Sequence, residues 1–306
     1  MKQKWSDFKI LSISISALLL FFTISYFRMI PLNLLHLKLE WFSKGVGIYY
    51  FILTEIIAVL LTSIYIITYI QKDDKELIQR FKTMGIGIGA IALYFFLEAF
   101  EAVPLLLAHV NIDTMNMTVK LIYVVSYLIV TAALIALIYQ KKLKKDFEKF
   151  KKNSSKYFSE NIKYWLIATG VMLISNLLIS NISTYGIAGN EKAIREVMNI
   201  SPIYVFFSAV IFAPIVEELI FRQSIKNIFS NKWVFIIISG VVFGGLHAIT
   251  DYKTAVDLLY IIPYSAHGIA FAYMLSKTDN IFVPMSFHML HNGIIISLQI
   301  IVTLFA

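Results

Sequence analysis

Long apolar runs separated by short polar connections make up most of the chain. They predict nine helices, at about 8–27, 46–70, 84–110, 118–139, 164–185, 202–224, 233–251, 256–276 and 281–305. Most are near or above the ~20 residues needed to cross hydrocarbon. The fold class expected is therefore all-α, a polytopic transmembrane helix bundle of about nine spans. The first run has a basic start (MKQKWSDFK) and an apolar middle, as a signal peptide would. No small-residue cleavage pattern follows it, so it reads as an uncleaved first span.

Charge adds orientation. Most of the 27 Lys and Arg fall in the N-terminal segment and in alternate connections, with nine lysines between 140 and 163. Basic residues accumulate on the cytoplasmic side of membrane proteins, which predicts N-in and C-out. The stretch KKLKKDFEKFKKNSSKYFSENIK is also the sharpest boundary in the chain. It divides residues 1–163, four N-terminal spans and a basic cytoplasmic loop, from residues 164–306, a core of five spans. Clustered lysines beside a span can bind anionic lipid, but a topology determinant is the simpler reading.

Composition agrees with the pattern. The 306 residues are 58% hydrophobic and 15% charged, with mean hydropathy +0.75, against about 45–50% and 25% in soluble domains. The net charge of +8 is accounted for by the internal connections, so no nucleic-acid partner is expected. Membrane lipid is the expected surrounding. The absence of cysteine excludes disulfides, thiolate metal sites and cysteine nucleophiles.

Some spans carry polar groups that lipid does not tolerate. An ionisable side chain near the bilayer centre costs several kcal/mol, so it is paired, wetted or functional. The run PIYVFFSAVIFAPIVEELIFRQ holds Glu217, Glu218 and Arg222. Residues i and i+4 lie about 40° apart around a helix and neighbours about 100° apart. Glu218 and Arg222 therefore share a face and form a candidate ion pair, while Glu217 points elsewhere. Pro214 removes the backbone hydrogen bond to Val210, tolerable at depth only where protein or water satisfies the carbonyl. A polar cavity explains this set, and so does a buried salt bridge beside a neutral carboxyl. The run WVFIIISGVVFGGLHAIT has Gly240 and Gly244 in the spacing that admits a close neighbouring helix, with His247 one turn beyond. In the last span His288 and Asn292 share a face and His291 points away. Ser265 and His267 lie about 160° apart, which speaks against a serine nucleophile and its base. Glu98 and Glu101 form a second acidic pair on one face, lining the cavity or handling protons. Along the chain His247 sits a turn or two deeper than Glu217 and His288, so a tilt or kink must bring it level.

The order E-E-x-x-x-R (Glu217, Glu218, Arg222), F-x-x-x-H (Phe243, His247), H-x-x-x-N (His288, Asn292) resembles the CPBP family. This family comprises type II CAAX prenyl endopeptidases and bacteriocin-processing intramembrane proteases, also called Abi. The resemblance covers about residues 200–295, and residues 1–163 match nothing comparable. Gln223 departs from the glycine that commonly follows the Arg. The resemblance implies that Glu217 is the general base, with His247 helping to hold a water. It implies that His288 and Asn292 donate to the tetrahedral intermediate, and that Glu218 with Arg222 orients Glu217. Members are often catalogued as metalloproteases, and Glu217, His247 and His288 are the candidate zinc ligands. The chain lacks HExxH and a glutamate-activated water needs no metal, so metal-independent chemistry is the preferred reading. The expected function is an intramembrane endopeptidase of the bacterial plasma membrane. Its expected substrate is a bacteriocin, a signalling-peptide precursor or a membrane protein. A non-catalytic scaffold or self-immunity protein is the alternative, and a proton-coupled carrier ranks last because no inverted repeat is visible.

Overall fold

The computed structural model describes residues 75–101, 104–105, 108, 110, 115–183, 186–249 and 254–305. The spans expected at 8–27 and 46–70 lie outside the described residues. The chain divides into two compact units, Met1–Ala108 and His109–Ala306. In the first, helix α1 (Lys75–Phe100) overlaps the span expected at 84–110 but begins earlier, inside the polar connection. Glu98 lies on α1 and Glu101 just beyond it, and both are engaged with neighbouring groups.

The second unit is entirely helical among its described residues. It contains α2 (Met117–Ile138), α3 (Gln140–Ser180) and α4 (Gly189–Ile200). These are followed by α5 (Pro202–Ile228), α6 (Lys232–Ile249) and α7 (Asp257–Thr278), and by α8 (Phe282–Phe305). Every one except α4 is long and apolar enough to cross a membrane, six such helices among the described residues. Polar caps set several starts. Asn116 accepts the N–H of Thr118 at α2, and Asn231 accepts those of Trp233 and Val234 at α6.

The basic segment 140–163 is not a flexible connection. It is helical and continuous with the following span in α3, with one departure from helical angles at Asn153 (φ −128, ψ 16). Its 41 residues give a helix of about 60 Å, roughly twice the hydrocarbon thickness. The extension is fastened to the bundle by Asp146, whose side chain is 1% exposed. Its carboxylate accepts the Ile281 N–H at 3.0 Å and the Lys142 ammonium at 3.0 Å, and its carbonyl accepts Asn280 Nδ2 at 2.8 Å. These bonds fix the turn between α7 and α8, where Asp279 is left-handed (φ 48). Burial works to raise the Asp279 carboxyl, but the hydrogen bond from Lys226 and the charges of Lys226, Lys142 and Lys145 outweigh it and hold it below the usual carboxylate range.

The close helix approach expected at Gly240 and Gly244 is made by α7. A Cβ on Gly268 would stand 2.9 Å from the Cα of Gly240, and one on Gly244 would stand 2.7 Å from the Ile261 carbonyl. No side chain larger than hydrogen fits either place.

Candidate active site

Helix α5 carries the acidic groups, and its geometry departs from regular α-helix twice. Ser201 caps it and Pro202 opens it. Phe207–Phe212 and Glu218–Ser224 are π-helical, a local widening that recurs at functional sites. In the first π turn the Ala213 N–H bonds five residues back, to Ser208. In that register the imino nitrogen of Pro214 would face Ala209, not Val210 as regular helical spacing predicts. The Ala209 carbonyl receives instead the Asn292 side-chain amide, at 2.7 Å. The second π turn is tied in the same way. Ser224 Oγ donates to the Leu219 carbonyl at 2.9 Å and pairs with the Tyr139 hydroxyl at 2.7 Å. The Ser239 hydroxyl of α6 donates to the Phe221 carbonyl.

The result is that one imidazole reaches two consecutive glutamates. His288 Nδ1 lies 2.8 Å from Glu218 Oε1, and His288 Nε2 lies 3.7 Å from Glu217 Oε2. The Arg222 Nε completes the chain at 3.3 Å from Glu218 Oε2. The ion pair expected from i, i+4 spacing is thus present. Glu217, expected to diverge from it, is joined to it through His288. The Glu218 and Arg222 side chains have no solvent exposure, His288 has 5% and Glu217 has 18%. Glu217 is therefore the member of the cluster that a reactant can approach. The buried guanidinium is covered by aromatic faces, with its carbon 4.1 Å from the centre of Phe243 and 5.6 Å from that of Phe271. Such faces offset part of the cost of burying a cation.

His247 stands beside this cluster, within electrostatic reach of Glu217 and His288. Its Nδ1 is 2.8 Å from the Phe243 carbonyl, so the Nδ1–H donates there. Its ring packs between Phe243 at 4.3 Å and Tyr264 of α7 at 4.9 Å. The neighbouring helix does pass where the glycines allow it. Asn292 meets α5 about two turns before the glutamates, with one amide hydrogen committed to Ala209 and the second uncommitted by that bond.

The other two described histidines lie against each other. The His267 and His291 rings are 3.9 Å apart, and His267 Nε2 is 3.2 Å from Thr169 Oγ on α3. Ser265 packs against Gly244 instead, so it does not serve His267 as a nucleophile would. As for zinc, no three His, Cys, Asp or Glu among the described residues converge as a ligand set. Glu217, His247 and His288 are not gathered as such a set. Sequence reasoning missed Tyr139, Ser239 and Phe271. Ser239, a lone hydroxyl in an apolar run, carried a signal, since it must find an acceptor there. The other two carried none.

Residues 199–294 match the family described as type II CAAX prenyl endopeptidase Rce1-like. The segment agrees with the one carrying the three motifs, so the resemblance lies in this C-terminal region. The chain is similar to the protein named "Putative membrane peptidase YdiL" of Bacillus subtilis, at 32% identity over 36% of this chain and 43% of the relative. It is also similar to the membrane-embedded CAAX protease MroQ of Staphylococcus aureus, at 26% identity over 64% of this chain and 81% of the relative. A third relative, YvdC of Lactococcus lactis, is 26% identical over 42% of this chain and 48% of its own length. The chain thus spans less than half the length of two of these three relatives. No solved structure matches it.

Proposed function

We propose that the chain is an intramembrane endopeptidase that hydrolyses a peptide bond with a water activated by Glu217. The observation that carries this reading is the His288 imidazole held between Glu217 and Glu218 inside apolar helices. Glu217, the more accessible carboxylate, accepts a proton as the water oxygen attacks the peptide carbonyl carbon. With Nδ1–H committed to Glu218, His288 offers Nε2 to the reacting centre. When protonated there, it and the second hydrogen of Asn292 are donors for the developing oxyanion. Each such donor is typically worth about 3–4 kcal/mol. Collapse of the tetrahedral intermediate breaks the C–N bond, and the proton held by Glu217 passes to the leaving amine. His247 Nε2 helps hold the water. Arg222 acts through Glu218, fixing the carboxylate that orients His288.

The substrate class that suits such a site is a membrane-associated peptide or protein. The protease names of the Staphylococcus and Bacillus relatives support the reaction class. The test is Glu217→Gln, which keeps size and burial but cannot act as a base. Peptides released by cells carrying the wild type are compared with those carrying the variant. The expected outcome is one or more precursors that accumulate uncleaved with the variant, while the variant protein is produced and folds normally. Unchanged processing overturns the proposal and favours a scaffold of the same fold.

A further inference from the structure

Away from the acidic cluster, three lysines from three helices converge on two touching tyrosines. The rings of Tyr164 on α3 and Tyr273 on α7 are 4.8 Å apart. Lys163 Nζ lies 5.1 Å from the centre of Tyr164, and Lys277 Nζ lies 5.4 Å from it. Lys232, at the start of α6, lies 5.0 Å from the centre of Tyr273 and 5.2 Å from that of Trp233. The anionic side chain paired within this group is Glu160, 3.7 Å from Lys277. The patch is therefore cationic. It also lies at one end of an apolar stripe. Ile262, Ile269, Tyr273 and Lys277 follow one another at helical spacing on one face of α7. Ile262 and Ile269 are 47% and 39% exposed, and Trp233 and Ile237 on the neighbouring α6 are 59% and 54% exposed.

We infer that this face is a binding site for one anionic phospholipid, its phosphate among Lys163, Lys232 and Lys277 and an acyl chain along the exposed stripe of α7. Charge complementarity selects an anion. Aromatic rings that prefer the membrane–water boundary place that anion at headgroup level, and the apolar stripe continuing from it requires the anion to carry hydrocarbon. The site is independent of the proposed hydrolysis.

The full chain, reconstituted in phosphatidylcholine vesicles, provides the test. Trp233 fluorescence, read as wild type minus Trp233→Phe, is titrated with phosphatidylglycerol or phosphatidylcholine brominated on the acyl chains. The expected result is quenching by the anionic lipid at an at least about fivefold lower mole fraction, the contribution of a single basic residue near an anionic surface. The triple variant Lys163→Gln, Lys232→Gln, Lys277→Gln loses that preference. The charge-matched control Lys149→Gln, Lys151→Gln, Lys152→Gln on α3 keeps it. Equal quenching by the two lipids, a preference that survives in the triple variant, or its loss in the control overturns the site. Displacement by inorganic phosphate at constant ionic strength overturns the lipid as its occupant. Should the triple variant fail to reconstitute, Lys232→Gln alone decides: an unchanged preference overturns the inference.

Discussion

Glu218 sits without solvent between the Arg222 guanidinium and the His288 imidazole. Removing one partner of a buried pair typically costs about 3–5 kcal/mol, because the other charge stays buried. Arg222→Ala is therefore expected to lower thermal stability in detergent and folding yield by much more than Glu217→Gln, whose site is partly open. Equal yields for the two would count against the pairing. Asn292 has a separate prediction. Its truncation to Ala strips the Ala209 carbonyl of its donor, at about 1–3 kcal/mol. Asn292→Ala should thus lose stability as well as activity, whereas an Asn serving only the oxyanion would lose activity alone. Thermal unfolding of the variant separates the two. The Glu218–Arg222 pair was legible from spacing because helical geometry is local. The joining of Glu217 to it was not, since nothing in the residues of α5 says that His288 bridges both carboxylates.

The two π turns of α5 depend on donors from elsewhere: Asn292 of α8 and Ser239 of α6, with Ser224 and Tyr139 closing the lower end. Ser239→Ala removes one of these and takes the hydroxyl donor from the Phe221 carbonyl, next to Arg222. It should cost about 1–3 kcal/mol, and activity restored by Ser239→Thr but not by Ser239→Ala would identify the hydroxyl as the cause. The contact of α6 with α7 is as strict. Gly268→Ala drives a methyl group against Gly240, and overpacking of this kind typically costs about 1–3 kcal/mol. Gly170→Ala is the control, because a Cβ there meets nothing within 4 Å. Equal stabilisation of both, measured by thermal unfolding, would show that helix propensity and not packing governs. GxxxG announced that a helix would come close, but not which one, because small residues admit any partner.

Asp146 links the basic extension of α3 to the turn that starts α8, the helix bearing His288 and Asn292. Asp146→Ala leaves the Ile281 N–H without that acceptor and should increase amide exchange around residues 279–282 by roughly tenfold or more, following a loss of about 1–3 kcal/mol. Exchange confined to residues 140–146 would show that the extension is held independently of α8. This connection also explains why the charged segment is ordered. Its buried face packs Phe150 and Tyr157 against the cluster of Phe271 and Phe287, while its lysines other than Lys142 are exposed.

The order of residues was sufficient to reveal a membrane-spanning α-helical protein, the ends of most described spans to within a few positions, the Glu218–Arg222 pair and the family that the C-terminal core resembles. All of these follow from composition over about twenty residues or from spacing within a turn or two, so neighbours along the chain contain the information. The convergence of α5, α6 and α8 on one buried cluster, the π register that shifts the exposed carbonyl from Val210 to Ala209, and the helical order of 140–163 came only with the assembled bundle. Each rests on a bond between residues far apart in the chain, and the free energy of such a bond depends on where two helices are brought by the packing of all the others.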